Sequence, residues 1–350
     1  MEKYRKPGKM KLQFFLTPDK HYVGVAWYRR TVTLKDYDNK ARYTIYLERP
    51  HIETTLYVNG YCVGKQNSLS VAHEYDVTKH LKAGKNVIAV RVDNRHETVN
   101  VGQDSHSVTD QTQGAWNGIV GKMELRREVR TRIADLQVYP DIDKKVVVVK
   151  MLIEGKPGET ATISISAKAF NTDVAHETSA VEKTFSIGEG STEAQMTLPM
   201  GDGALLWDEF SPALYRLQAN ISVGGEKNRR ETTFGMRKFE IRGRMFFVNG
   251  REVQLRGTVE NCCFPNTGYA PMDVESWMKV FNRCREYGLN HMRFHSYCPP
   301  EAAFEAADLT GFYIQPEGPS WPNHGVKLGY GHDIDTYLMD ETKRISKVYG

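Results

Sequence analysis

A chain of 350 residues, 40% hydrophobic and 26% charged, is long enough for two or three domains with separate cores. Its net charge is +4, yet the first 50 residues carry 12 Lys/Arg against 5 Asp/Glu, which leaves the remaining 300 at −3. The basic excess is local and argues against a nucleic-acid surface, and no run of about 18 apolar residues is present to span a membrane.

The apolar run LQFFL near the basic N-terminus is too short for a signal-peptide core, so a soluble chain is expected. Upstream signals of a longer parent would be missing with it, which leaves a periplasmic or secreted parent open. From Trp27 to Arg126 the pattern is β throughout, in WYRRTVTL, ARYTIYLER, TTLYVNGYCVG, HEYDVT, NVIAVRVDN and GIVGKMELRR. Asn59-Gly60 between two apolar runs is a strong hairpin signal, because both central positions of the tight turn need positive φ. Six or more strands in a hundred residues suggest a sandwich or jelly roll.

Between residues 93 and 116 the β pattern lapses into a polar stretch rich in Asp, Gln, Ser and His. A loop of that length is commonly functional or disordered. It is either a solvated excursion or an arm reaching a neighbouring site. Residues 129–241 read as a second β region of seven short strands, an immunoglobulin-like count without any cysteine. In it LLWDEFSPALYRL (205–217) is an aromatic-rich corner expected to pack against an adjacent domain.

After a second Asn-Gly hairpin at Asn249-Gly250 the period changes. VQLRGTV (253–259) reads as a buried strand ending at Glu260 and Asn261. Asp273 caps a helix whose apolar residues recur at three- and four-residue spacing until Gly288. LNHMRFH (289–295) is the next strand, Pro299 and Pro300 open a second helix, FYIQPE (312–317) is a third strand, and a third helix is expected over 335–348. Alternating strands and helices imply parallel strands with right-handed crossovers. A closed (β/α)₈ barrel takes roughly 250 residues, so three units mean either a small open sheet or a chain that stops inside a barrel. The five cysteines, at 62, 262, 263, 284 and 298, show neither CxxC nor paired-His spacing. No disulfide framework, metal site or cofactor is expected, and the thiols read as free and mostly buried.

Several strings carry a resemblance: AWYRRTVTL, LYVNGYCVGKQ with HEYDVTKHLKAGKNVIAVRVDN, WNGIVGKMELR, LWDEFSPALYRL, and FGMRKFEIRGRMFFVNGREVQLRG. In this order they resemble glycoside hydrolase family 2, the β-galactosidase, β-glucuronidase and β-mannosidase family, over nearly the whole chain. The resemblance implies a multi-domain β plus α/β fold. A galactose-binding-like jelly roll (1–128) would precede an immunoglobulin-like β-sandwich (129–241) and the first three units of a (β/α)₈ TIM barrel (242–350). It also implies a retaining glycosidase whose acid/base glutamate ends the fourth barrel strand and whose nucleophile ends the seventh. Neither strand is in this chain, which by itself is expected to be inactive. The strand-one His-Glu of the family is replaced after Arg256-Gly257, its strand-two Arg-x-Ser-His reads Arg293-Phe294-His295-Ser296, and its strand-three Asp-Glu reads Pro316-Glu317. Sugar and linkage are therefore not carried over, and a non-catalytic carbohydrate-binding or scaffold protein is the alternative.

Barrel enzymes hold substrate at the C-terminal ends of their strands, where Glu260, Asn261, Arg293, His295 and Glu317 would gather. Arg293 and His295 stand two apart and share a face of one strand. Glu260 and Glu317 are two carboxylates, but the family uses strands one and three for binding, so both are expected to support substrate rather than catalyse. Trp321 would stack on a sugar or cover the rim. The loop 104–116 is expected to reach these strand ends, with Asp110 and Gln111 bonding the sugar and Trp116 and Gly118 fixing its base. The expected partner is a carbohydrate substrate; the oligomeric state is not legible.

Overall fold

The computed structural model describes residues 22–95, 100–109, 116–264, 267–323 and 326–350. The chain folds into two compact units. One contains Met1–Arg127, Gly257–Ala306 and Ile314–Gly350, and the other Glu128–Arg256 and Ala307–Tyr313.

The first unit begins with β1 (Val25–Leu34), β2 (Arg42–His51), β3 (Glu53–Val58), β4 (Tyr61–Asn67), β5 (His73–Asp76), β6 (Gly84–Asp93) and β7 (Gly118–Glu128). They form two sheets, in the orders β1-β6-β3-β4 and β5-β2-β7. Period-2 alternation sends Leu56, Val58, Val90 and Val92 inward to meet Tyr43, Ile45, Leu47 and Tyr75, and this shared core holds the sandwich together. The arrangement fits a jelly roll broadly. Asn59 and Gly60 both have positive φ, 52° and 88°, the geometry the tight hairpin requires.

One buried polar network in this sandwich has a pH signature. His73 is fully buried; Nε2 donates to the Ser68 carbonyl (3.3 Å), and Nδ1 meets the Thr54 hydroxyl at 2.6 Å. Burial, only partly offset by the Ser68 bond, pushes its pKa down to about 4. The neutral ring is thus favoured in the fold. Stability should be full above about pH 6.5 and fall as pH drops towards 4, because the unfolded chain takes up the proton first. A shift of this size corresponds to roughly 3 kcal/mol. Urea unfolding at pH 7 and pH 4 should show His73→Gln losing less stability over that window than the unaltered chain. Equal losses would remove His73 as the cause.

The second unit contains β8 (Arg132–Asp141), β9 (Val146–Glu154), β10 (Thr160–Ala169), β11 (Val181–Ser186), β12 (Ser191–Pro199), β13 (Tyr215–Val223) and β14 (Glu226–Phe234). Their sheets, β11-β10-β13-β14 and β12-β9-β8, enclose alternating residues such as Val147, Val149, Ile163, Ile165, Leu217 and Ala219. Seven strands in a four-plus-three sandwich fit an immunoglobulin-like domain broadly. In the corner at 205–217, Trp207 is buried and its Nε1 donates to the Asp308 carbonyl, 2.8 Å away. Gly311 (φ 68°) packs so tightly on the backbone of Asp208 and Glu209 that a Cβ would collide. The unit ends in an antiparallel meander, β15 (Phe239–Arg242), β16 (Met245–Val248) and β17 (Arg251–Val253), turned at Asn249-Gly250.

This meander corrects the expected strand over 253–259. The hairpin register pairs Val253 with Phe246, so Val253 belongs to β17, and the chain leaves the ladder before the next strand begins. That strand, β18 (Gly257–Glu260), is not buried; Val259 is 48% exposed. The chain continues as α1 (Val274–Glu286), β19 (His291–Phe294), α2 (Glu301–Thr310), β20 (Tyr313–Gln315) and α3 (Asp333–Tyr349), all in the first unit except Ala307–Tyr313, which belong to the second. The three strands make one sheet in that order, with β18 and β19 parallel. Asp273 caps α1 by accepting from the Ser276 N–H at 2.8 Å, and Gly288 (φ 76°) follows its end. Trp277 and Phe281 anchor its apolar face.

The cysteines are free but not mostly buried: only Cys262 and Cys298 are, while Cys62 is exposed and Cys263 and Cys284 lie between. A thiol is small enough for the partly covered face of α1, where Cys284 sits, so an apolar spacing alone did not reveal its depth. No described helix is long and apolar enough to cross a membrane.

Candidate functional site

The ends of β18, β19 and β20 carry the predicted polar residues. Arg293, the third residue of β19, donates from Nε to Glu317 Oε1 at 2.5 Å. The other oxygen of Glu317 accepts the Ser296 N–H at 2.7 Å, and the Glu317 N–H donates to the Tyr297 carbonyl at 3.1 Å. Glu317 therefore ties the end of the second strand to that of the third. The Arg293 side chain is 38% exposed, which leaves its terminal N–H groups able to reach a solvent-borne hydroxyl.

Glu260 ends β18. Its Oε1 accepts from the Cys262 N–H at 2.8 Å, and its carbonyl accepts from the His295 N–H at 3.1 Å. Burial raises the pKa of its carboxyl, with the N–H groups of Cys262 and Cys263 acting in the opposite sense. Glu260 and Glu317 thus sit in different surroundings, one held by backbone amides and the other by a guanidinium and an amide.

The polar loop of the sandwich passes over all three strand ends. At the third, Val101 accepts from Ser320 Oγ (2.9 Å) and the Trp321 N–H (3.1 Å), while Asp104 accepts from Asn323 (2.6 Å). Gly102 (φ 95°) abuts the Trp321 carbonyl, where a Cβ would collide, so glycine alone permits this approach. At the second, Ser105 and Ser107 donate their hydroxyls to the Ser296 carbonyl, and the His106 N–H donates to Ser296 Oγ. At the first, His106 Nδ1 lies 2.7 Å from the Asn261 carbonyl. A carbonyl only accepts, so Nδ1 carries the proton, and in the neutral ring Nε2 is an acceptor. Burial, the largest influence, and the nearby His295 both depress the pKa of His106, which favours that neutral ring.

Three rings meet there. His295 lies edge-on to both His106 (4.5 Å between centroids) and Trp321 (4.6 Å), and His106 and Trp321 are near-parallel at 5.8 Å. Trp321 is 40% exposed, a partly open aromatic face beside hydrogen-bonding groups. The far end of the loop is fixed by His51, whose nitrogens meet the carbonyls of Trp116 (2.9 Å) and Ser107 (3.1 Å) and whose ring stacks on Trp116 at 4.5 Å.

The structure therefore brings Glu260, Asn261, Arg293, His295, Glu317 and Trp321 into one neighbourhood. Asp110 and Gln111 lie outside the described residues. Asn261 contributes its backbone carbonyl to the loop contact. Ser105, His106 and Ser107 are not among the expected site residues, and Ser296 enters only as part of the strand-two motif. The available signal was a Ser-His-Ser run set between Gly102 and the apolar Val108. Among the described residues, no group of three or more His, Cys, Asp or Glu is placed to hold a metal ion.

The fold and site define a multidomain β protein whose first sandwich sends a loop across the ends of a strand-helix-strand array. Residues 1–128 match the sugar binding domain of glycosyl hydrolases family 2, and residues 131–237 match the further domain model of the same family. The chain belongs to glycosyl hydrolase family 2. It is similar to a β-galactosidase of Leuconostoc mesenteroides, 26% identical over 84% of this chain and 28% of that protein. A putative β-glucuronidase of Formosa agariphila is 24% identical over 86% of this chain and 35% of its own length. Among solved structures, a β-glucuronidase of Bacteroides uniformis shares the fold with a TM-score of 0.73 at 18% identity, covering 94% of this chain and 40% of that one. A putative β-galactosidase of Bacteroides fragilis gives 0.74 at 18%, covering 97% and 50%. The chain spans only about a third of the length of the first two relatives.

Proposed function

We propose that the natural full-length protein is a retaining glycoside hydrolase acting on a terminal β-linked sugar of the galactoside or glucuronide type. On this reading 1–128 is a sugar-binding jelly roll, 129–241 an immunoglobulin-like sandwich and 242–350 the first three units of a TIM barrel. The chain's part is to hold substrate. Arg293, His295, Glu317, Trp321 and Glu260, with Asn261, Asp110 and Gln111 beside them, are assigned to binding, and none is assigned to acid/base or nucleophilic chemistry.

One observation carries the reading: a single loop of the jelly roll touches the segments following all three strands, at Asn261, Ser296 and Trp321. A sugar's hydroxyls need donors and acceptors on several sides to replace lost water. A strand end walled by a loop from another sandwich supplies them, with the half-open face of Trp321 for a sugar ring. The names of the relatives, β-galactosidase and β-glucuronidase, point to the same bond class.

The test is turnover of aryl β-galactosides and β-glucuronides by the full-length gene product, with product anomer followed by NMR. Saturable release of the β anomer of one sugar is the expected result. Calorimetric binding of the sugars without turnover would favour the carbohydrate-binding alternative, and neither binding nor turnover would end the proposal.

A further inference from the structure

We infer that Ser107 and Ser296 form a latch that positions the ring of His106, and that through this latch the jelly-roll loop sets substrate affinity. The inference rests on the sugar-site reading above and names two positioning residues within it.

Ser296 is 1% exposed and sits just after β19 with φ 45°, a region that residues bearing a Cβ enter only when their surroundings hold them there. Its bonds show what does the holding. Its N–H donates to Glu317 at 2.7 Å, its carbonyl accepts the Ser107 hydroxyl at 2.8 Å, and its hydroxyl accepts the His106 N–H at 2.8 Å. Ser105 adds a longer contact to the same carbonyl, at 3.5 Å. One residue thus ties the Arg293–Glu317 pair on one side to three successive loop residues on the other.

A purely structural role would be expected where the loop has no other anchor. This loop has others: Val101 and Val108, each 2% exposed, are buried in an apolar cluster with Ile334 and Tyr337 of α3, and His51 holds the Ser107 carbonyl. Those anchors hold the loop on either side of His106. What Ser107 and Ser296 add is local. They fix the His106 backbone, so that Nδ1 reaches Asn261 and the ring lies against His295 and Trp321. Because these rings line the strand ends, a small displacement of His106 should alter binding more than the chemical step.

The test has two arms. In the 350-residue chain, hydrogen exchange at the His106 amide reports the latch directly. Ser107→Ala and Ser296→Gly should each accelerate it about five- to tenfold, the population change one lost hydrogen bond corresponds to. Ser107→Thr, which keeps the hydroxyl, should exchange like the unaltered chain. Glycine accepts positive φ, so Ser296→Gly removes the hydroxyl without straining the turn. In the full-length enzyme the same two variants should raise KM for the aryl glycoside about five- to tenfold with kcat within about twofold, again restored in Ser107→Thr. Unchanged His106 exchange would overturn the latch. Faster exchange with unchanged KM, or an equal fall in kcat, would overturn its positioning role. Absence of turnover in the unaltered enzyme would count against the glycosidase reading and remove the affinity role with it, while the exchange arm would still decide whether the latch exists.

Discussion

Replacing Glu341 by alanine should cost the first unit about 3 to 5 kcal/mol, the usual effect of removing one partner from a buried charged network. Glu341 lies on the inner face of α3 with Ile334 and Tyr337 and has no exposed surface. One of its oxygens accepts the Ser68 hydroxyl (3.1 Å) and the Leu69 N–H (3.2 Å), and the other accepts from Arg344 at 2.7 Å. The Leu69 carbonyl in turn accepts from the buried Arg49, at 2.6 Å, and Arg49 also donates to the Cys298 carbonyl. The Leu69 peptide therefore sits between a buried anion and a buried cation, and joins α3, β2 and the turn after β19. Alanine would strand the Ser68 and Leu69 donors and remove the ion-pair partner of Arg344. Glutamine keeps the shape and one acceptor, so it should cost less. Hydrogen exchange at residues 68–71 and 337–344, read alongside urea unfolding, would check this locally, as a chain with two units need not unfold in one step. A loss below about 1 kcal/mol for Glu341→Ala would show that the network contributes little beyond the apolar contacts around it.

On the proposed glycosidase reading, Glu317→Ala should lower kcat/KM of the full-length protein about 10²-fold, comparable with the effect of misplacing a binding group by an ångström. Both of its oxygens are committed, one to Arg293 and one to the Ser296 N–H. Its loss frees the guanidinium and the latch residue together. Glu317→Gln should be nearly as damaging, because an amide nitrogen would face one of two donors. The pH profile should keep its shape, since a group that only positions others does not contribute a limb. Arg293→Ala should cost a similar amount, and the double variant little more, because the two side chains act as a pair. Loss of a pH limb in Glu317→Gln would instead promote Glu317 to an acid/base role.

Much of the fold was legible along the chain. The Asn59-Gly60 and Asn249-Gly250 hairpins, the Asp273 cap and the change from strand to strand-helix period are local signals, each set by the φ a residue tolerates or by which side chains share a face. The candidate site was legible in outline, since strand ends follow from the same periods. The run from Val253 misled because apolar alternation marks a strand without naming its partner. Val253 pairs back onto Phe246, and only the tertiary register ends β17 there.

What the sequence by itself determined is the order of elements, their turns and caps, and the strings that resemble glycosyl hydrolase family 2. The tertiary structure alone decided which polar groups meet. Ser107 and Ser296 are 189 positions apart and Ser68 and Glu341 are 273 apart, and no periodicity relates such positions. A buried hydroxyl or carboxylate settles wherever packing brings a complementary group within about 3 Å, since leaving it unpaired costs more than any local preference supplies. That partner is chosen by the meeting of the jelly roll with the strand ends, which no stretch of the chain encodes alone.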